Sequence, residues 1–196
     1  MSKRSQAKSG SLLERFVASF KKLDCLVLDE AFEFEAWKSL KAPAGKTGCE
    51  RWAPMKCETE IQYIDALYAK LPARFPPLYE GLVLSYRWEE VDIRRCTLLA
   101  NPIGPNLDGL FLHMSHDATL WTQLSRSGYI PFGKGTGGDY DPVCFDFKSR
   151  KKSGDCRVVK ISHEEILCND RIKVVAEVAR SFEALVLQTI DLAEKT

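Results

Sequence analysis

Apolar residues recur along the chain with periods that predict helices first, strands later and a helix at the end. Leu13, Phe16, Val17 and Phe20 fall at i, i+3, i+4 and i+7 behind Ser11-Leu-Leu-Glu14, which has the form of a capping box. An amphipathic helix is therefore expected over about 12–22. From Leu26 to Trp37 two periods compete: Phe32 and Phe34 alternate with Glu33 and Glu35 as in a strand, whereas Ala31, Glu35, Ala36 and Lys38 suit a helix. Residues 41–58 hold Pro43, Gly45, Gly48 and Pro54 in mixed polarity and read as a long loop. Helical spacing returns at Ile61, Ile64, Leu67, Tyr68 and Leu71 after a second capping-box pattern, Thr59-Glu-Ile-Gln62, and Pro72 closes it. Pro76 and Pro77 lie where a new helix accepts proline in its first turn, leading into Leu78, Leu82, Val83 and Tyr86.

The pattern then turns to β. Cys96-Thr-Leu-Leu-Ala100 is a short apolar run halted by Asn101-Pro-Ile-Gly-Pro105, and Gly109 to His113 is a second candidate strand. Asp117 is placed to cap a helix carrying Leu120, Trp121 and Leu124, with Gly128 ending it. Tyr129-Ile-Pro-Phe132 enters the glycine cluster Gly133-Lys-Gly-Thr-Gly-Gly138. Val143–Phe147 and Arg157–Ile161 read as strands joined by the polar Lys148-Ser-Arg-Lys-Lys-Ser-Gly154. Ser181 opens a last helix with Phe182, Leu185, Val186, Thr189 and Ala193 on one face. Helices, then strands, then a closing helix predict an α+β fold with a largely antiparallel sheet.

Three segments carry a family likeness. They are Leu71-Pro-Ala-Arg-Phe-Pro-Pro-Leu-Tyr-Glu-Gly-Leu82, the stretch from Phe132-Gly133 through Gly138-Asp139-Tyr140 to Phe145-Asp146, and Ala179-Arg-Ser-Phe-Glu-Ala-Leu185. In this order they resemble the entry helix, central hairpin and closing helix of the SUKH superfamily, the Smi/Knr-type cell-wall regulator homologues, over about residues 59–195. The chain departs from that pattern at Ser85-Tyr-Arg-Trp88, where the family often has Asn-Gly, and at Tyr140-Asp-Pro-Val-Cys144, which puts a proline in the strand. The resemblance implies a SUKH-like core over 59–196, with a central antiparallel sheet packed by helices. Residues 1–58 would be an N-terminal helical extension whose first ten residues form a loose tail. It also implies a non-enzymatic module that binds a protein partner. Bacterial relatives serve as immunity proteins against toxin domains and fungal ones as regulatory scaffolds, an analogy at the level of fold.

Composition narrows the classes further. The 196 residues are 45% hydrophobic and 28% charged, as in globular proteins, and suffice for a core without disulfide or metal staples. Twenty-eight Lys+Arg against twenty-seven Asp+Glu leave a net charge of +1, without the basic excess that nucleic-acid binding draws on. No apolar run approaches the roughly 18–20 residues that span a bilayer, and the polar, basic start does not read as a signal peptide, so no membrane partner is expected. Seven cysteines, an odd number without a CxxC pair and partly within apolar runs, fit a reducing cytoplasm.

The motifs with chemical content each have a plainer reading. Residues 133–138 satisfy G-x-G-x-x-G, but a phosphate site needs a helix N-terminus next, and Asp139-Tyr-Asp-Pro142 follows instead. A P-loop would need Ser or Thr where Gly135 stands. Asp139, Asp141, Asp146 and His163-Glu-Glu165 lack a recognised metal-ligand spacing, and strand alternation sends Asp146 away from the other two. Asp139 is expected to accept backbone N–H groups within the loop, and His163-Glu-Glu to enter a short helix. His113-Met-Ser-His116 reads as strand-end histidines beside a helix cap, and Lys148–Lys152 as a solvated turn. In Tyr86-Arg-Trp88-Glu-Glu-Val-Asp92, aromatic and arginine residues adjoin three carboxylates, a composition found at binding hot spots, where carboxylates steer a basic partner. Core plugging by Tyr86 and Trp88 with solvated acids is the competing explanation. The candidate partner contacts are Trp88, Glu89, Glu90, Lys134, Asp139 and Tyr140, with no catalytic residue, metal ligand or cofactor. The alternative class is an enzyme or small-ligand, nucleotide or metal binder using Gly133–Gly138 and the adjacent aspartates.

Overall fold

The computed structural model describes residues 3–23, 41–42, 51–104 and 106–196. The ambiguous stretch from Leu26 to Trp37 lies outside them. Helix α1 (Lys3–Lys22) starts well before residue 12, so the described part of the segment expected as a loose tail, residues 3–10, is helical. Lys, Arg, Gln and Ala are good helix formers and no proline interrupts them, which places the Ser11–Glu14 box inside the helix. Leu13, Phe16 and Phe20 are buried, and the Phe16 ring meets Phe182 edge-on at 6.3 Å. The helix of the N-terminal extension thus packs into the core, against α3 (Pro77–Ser85) and α7 (Phe182–Lys195).

Six strands form an antiparallel sheet ordered β10-β9-β8-β7-β6-β5, and the fold is α+β. They are β5 (Val91–Asp92), β6 (Thr97–Leu98), β7 (Tyr129–Lys134), β8 (Pro142–Asp146), β9 (Arg157–Ile161) and β10 (Val174–Ala179). Residues 41–58 are not a plain loop. They contain β1 (Lys41–Ala42), paired with β2 (Arg51–Trp52), and β3 (Met55–Lys56), paired with β4 (Tyr86–Arg87). Arg87, 3% exposed, ties the segment after β3 to the end of α3 and to β4 by donating to Cys57 Sγ, the Thr59 hydroxyl and the carbonyls of Val83 and Tyr86. Thr59 is therefore engaged by Arg87 and does not cap α2 (Ile61–Tyr68), whose N-cap, Glu60, makes no side-chain capping bond.

Gly109–His113 is helical, not a strand: it lies in α4 (Asp108–Met114), which buries Leu110 and Met114 four residues apart. Asn106 Oδ1 accepts the Asp108 N–H at 3.1 Å and Lys70 Nζ reaches Asp108 at 2.7 Å, fixing the start of that helix. Helix α5 (Ala118–Arg126) is capped by the Asp117 carboxylate, which accepts from Thr119 and Leu120, and Gly128 follows with φ +77°. Ser162 caps α6 (His163–Asn169), and Ser181 caps α7. Strand β10 is not among the strands expected from the sequence, although its valines favour β structure; Val174, Val175, Ala176 and Glu177 are exposed at the sheet edge, and only Val178 and Ala179 are buried. Its pairing with β9 shifts register twice.

The main core lies between one sheet face and α1, α3 and α7. Phe132 and Phe145 stack at 4.1 Å with planes 12° apart, and Tyr79 and Phe182 meet both rings edge-on. On the opposite face Leu124 of α5 and Ile166 of α6 form a smaller cluster with Tyr129, Cys144, Val159 and Ile161. The glycines at the end of β7 and in the turn to β8 allow close approach. A Cβ on Gly133 would stand 2.8 Å from the Thr97 carbonyl oxygen, and one on Gly135 2.3 Å from the Asp139 carboxyl carbon. Gly137 and Gly138 take positive φ in the turn. Gly133→Ala should therefore cost about 1–3 kcal/mol by forcing β6 from β7. Urea unfolding checks this, and an unchanged midpoint would contradict the close approach.

Candidate functional site

Alternation along the hairpin turns Phe132, Val143 and Phe145 into the main core and leaves Pro131, Gly133 and Pro142 on the other face. Their small or compact side chains floor a cleft of about 320 Å³ between the hairpin, the end of α4, α5 and α6. Leu99, Met114, Leu120, Leu124 and Leu167 make it largely apolar. Its polar lining comes from His113, His116, Asp117, Lys134, Tyr140 and His163, and so includes all three histidines of the chain.

Two ion pairs and a histidine–carboxylate hydrogen bond surround this lining. Lys134 Nζ lies 2.6 Å from Glu90, Lys160 Nζ 2.7 Å from Asp139, and His163 Nδ1 2.7 Å from Asp141. Asp141 also accepts the His163 N–H at 2.9 Å, fastening the start of α6 to the loop. The hydrogen bond from Lys160, helped by the Asp141 N–H, holds the Asp139 carboxyl below its ordinary range. Asp117 is engaged in capping α5. The imidazoles of His113 and His116 have no hydrogen-bond partner among the described residues. Partial burial against the cleft wall lowers the pKa of His113; Glu90 opposes this, while His116 and Lys134 add to it.

The sequence-derived contacts divide accordingly. Lys134 and Tyr140 line the cleft, Glu90 reaches it through Lys134, and Asp139 stands behind the loop on Lys160. The role expected of Asp139, accepting a backbone N–H within the loop, is present in its bond from Asp141. Trp88 as a partner contact is corrected: it is fully buried and donates from Nε1 to the Leu99 carbonyl at 2.9 Å, filling the core. Glu89 does not line the cleft. It is half-buried, and its Oε1 is enclosed without a partner. The steering of a basic partner by free acids is also revised for Glu90, whose charge Lys134 already meets.

The histidine pair is not strand-terminal: His113 lies in the last turn of α4 and His116 between α4 and α5. The sequence shows 113 and 116 as a close pair, but only tertiary structure brings residue 163 into the same lining. The Gly133–Gly138 stretch returns as β8, without the helix N-terminus on which its phosphate fingerprint depends. Among the described residues no group of three His, Cys, Asp or Glu side chains could hold a metal ion. The basic Lys148–Lys152 turn is partly engaged, with Arg150 over the Phe147 ring and bonded to the Phe75 and Gly154 carbonyls. Among the described residues no helix is long and apolar enough to cross a membrane.

The Asp141–His163 pair orients one imidazole, but no described hydroxyl or thiol hydrogen-bonds to a cleft histidine as a nucleophile would. Comparison with protein-family models, curated proteins and solved structures finds no match to this chain.

Glu89 has a measurable consequence. Burial, then the neighbouring Glu90 charge, raises its carboxyl from 4.5 to about 7. Between those values the folded protein binds more protons at this site than the unfolded chain, so the site's contribution to stability falls as pH rises. Glu89→Gln should gain stability over the wild-type protein across that window. Urea midpoints measured against pH for both proteins test this, and parallel profiles would refute it.

Proposed function

We propose that the chain is a non-enzymatic protein-binding module that acts by covering a surface of its partner, with a toxin domain as the partner class implied by the SUKH resemblance. The observation carrying this reading is a preformed apolar cleft whose lining includes two large, exposed side chains, Tyr140 at 71% and Leu167 at 50%. Such a pocket on a packed sheet accepts an anchoring side chain without much ordering cost, which is how binding hot spots concentrate affinity. The Lys160–Asp139 ion pair and the His163–Asp141 hydrogen bond beside it hold the loop and α6 in place. A role as an immunity or regulatory protein requires no chemistry from the module, only a surface that excludes the partner's substrate.

Quantitative affinity capture from the native cell, with the wild-type chain and the Tyr140→Ala/Leu167→Asp variant, tests the proposal. A protein held stoichiometrically by the wild type and reduced about tenfold by the variant supports it. Equal capture by both proteins, or a saturably bound small molecule in the native mass spectrum with no protein partner, overturns it.

A further inference from the structure

Charge at the cleft is unevenly satisfied. Lys134, Lys160 and His163 each face a carboxylate, from Glu90, Asp139 and Asp141 respectively, and Asp117 accepts two backbone N–H groups at the start of α5. Tyr140 adds a neutral phenol. His113 and His116 remain, three residues apart on the α4 side, each with ring nitrogens open to a ligand. Burial disfavours the cationic form of His113 most; Glu90 attracts that form in part, while His116 and Lys134 repel it. An anion between the two rings, beside the leucines of the cleft, offsets both the burial and the repulsion that Glu90 balances only in part.

We propose that the cleft recognises an acidic segment of its protein partner, seating an apolar side chain on Leu120, Leu124 and Leu167 and an adjacent Asp or Glu carboxylate between His113 and His116. This rests on the protein-binding reading above. A lysine in that position would meet Lys134 and two rings that become cationic, so charge complementarity selects against it. Because the free protein resists protonation of His113, a bound carboxylate draws a proton onto the site, and affinity rises as pH falls through the imidazole range. The partner's acid stays ionised until well below that range.

The probes are three terminally blocked pentapeptides with a central leucine flanked by two glutamates, two glutamines or two lysines. They are titrated into the full chain while the histidine ring resonances are followed by NMR. The glutamate peptide should shift the His113 and His116 resonances and bind about fivefold tighter near pH 5.5 than near pH 7.5. Both histidines are exposed, so His116→Gln and His113→Gln/His116→Gln should remain folded while losing that pH dependence. Equal binding of the glutamine peptide would overturn acidic recognition yet leave protein binding by the cleft standing. Tighter binding of the lysine peptide, or no binding by any of the three, would also overturn it. Failure of the underlying reading shows separately, as partner capture indifferent to Tyr140 and Leu167.

Discussion

The face-to-face contact of Phe132 with Phe145 decides which side of the β7–β8 hairpin enters the main core. Side chains alternate along a strand, so seating these two rings leaves Pro131, Gly133 and Pro142 on the opposite face. A slip of one residue along β7 would exchange its two faces and put Pro131 or Gly133 where Phe132 now meets Phe145. The aromatic contacts of Tyr79 and Phe182 with both rings penalise such a slip from the helical side. The cleft is thus the reverse of the core: one set of contacts builds both.

That geometry explains why the site is rich in paired charges. A bare apolar trough on a sheet needs a boundary, and here polar side chains from separate elements provide it. Lys134 leaves β7 to meet Glu90, while the loop aspartates meet Lys160 of β9 and His163 of α6. The exposed members of these pairs contribute little to global stability. Their effect is local: they hold the loop and the start of α6 in one arrangement, so the pocket exists before anything enters it.

Elements governed by local chemistry were legible in the sequence. Asp117 and Gly128 bracket α5, Ser181 starts α7, and Arg157–Ile161 is β9 as its apolar residues indicate. Elements governed by their surroundings were not. Gly109–His113 looks like a strand until Lys70 and Asn106 fasten Asp108, and Thr59 looks like a cap until Arg87 takes its hydroxyl. At the site, Lys134 and Tyr140 stood out because a glycine-rich hairpin displays them. His113, His116 and His163 were noticed as separate motifs, but their convergence on one cleft was not legible, since only the packing of α4 and α6 about the sheet brings them together. Trp88 misled for the opposite reason: hot spots and cores favour the same residue, and only its contact with the Leu99 carbonyl tells which applies.

The outermost ribbon of the sheet carries one more consequence. Exposed Val174 and Val175 on an unshielded margin would ordinarily template the addition of another chain. The two irregularities in the β10–β9 ladder break the even spacing of amide groups that such growth requires. The irregular margin therefore guards against fibrous stacking, whatever the cleft binds.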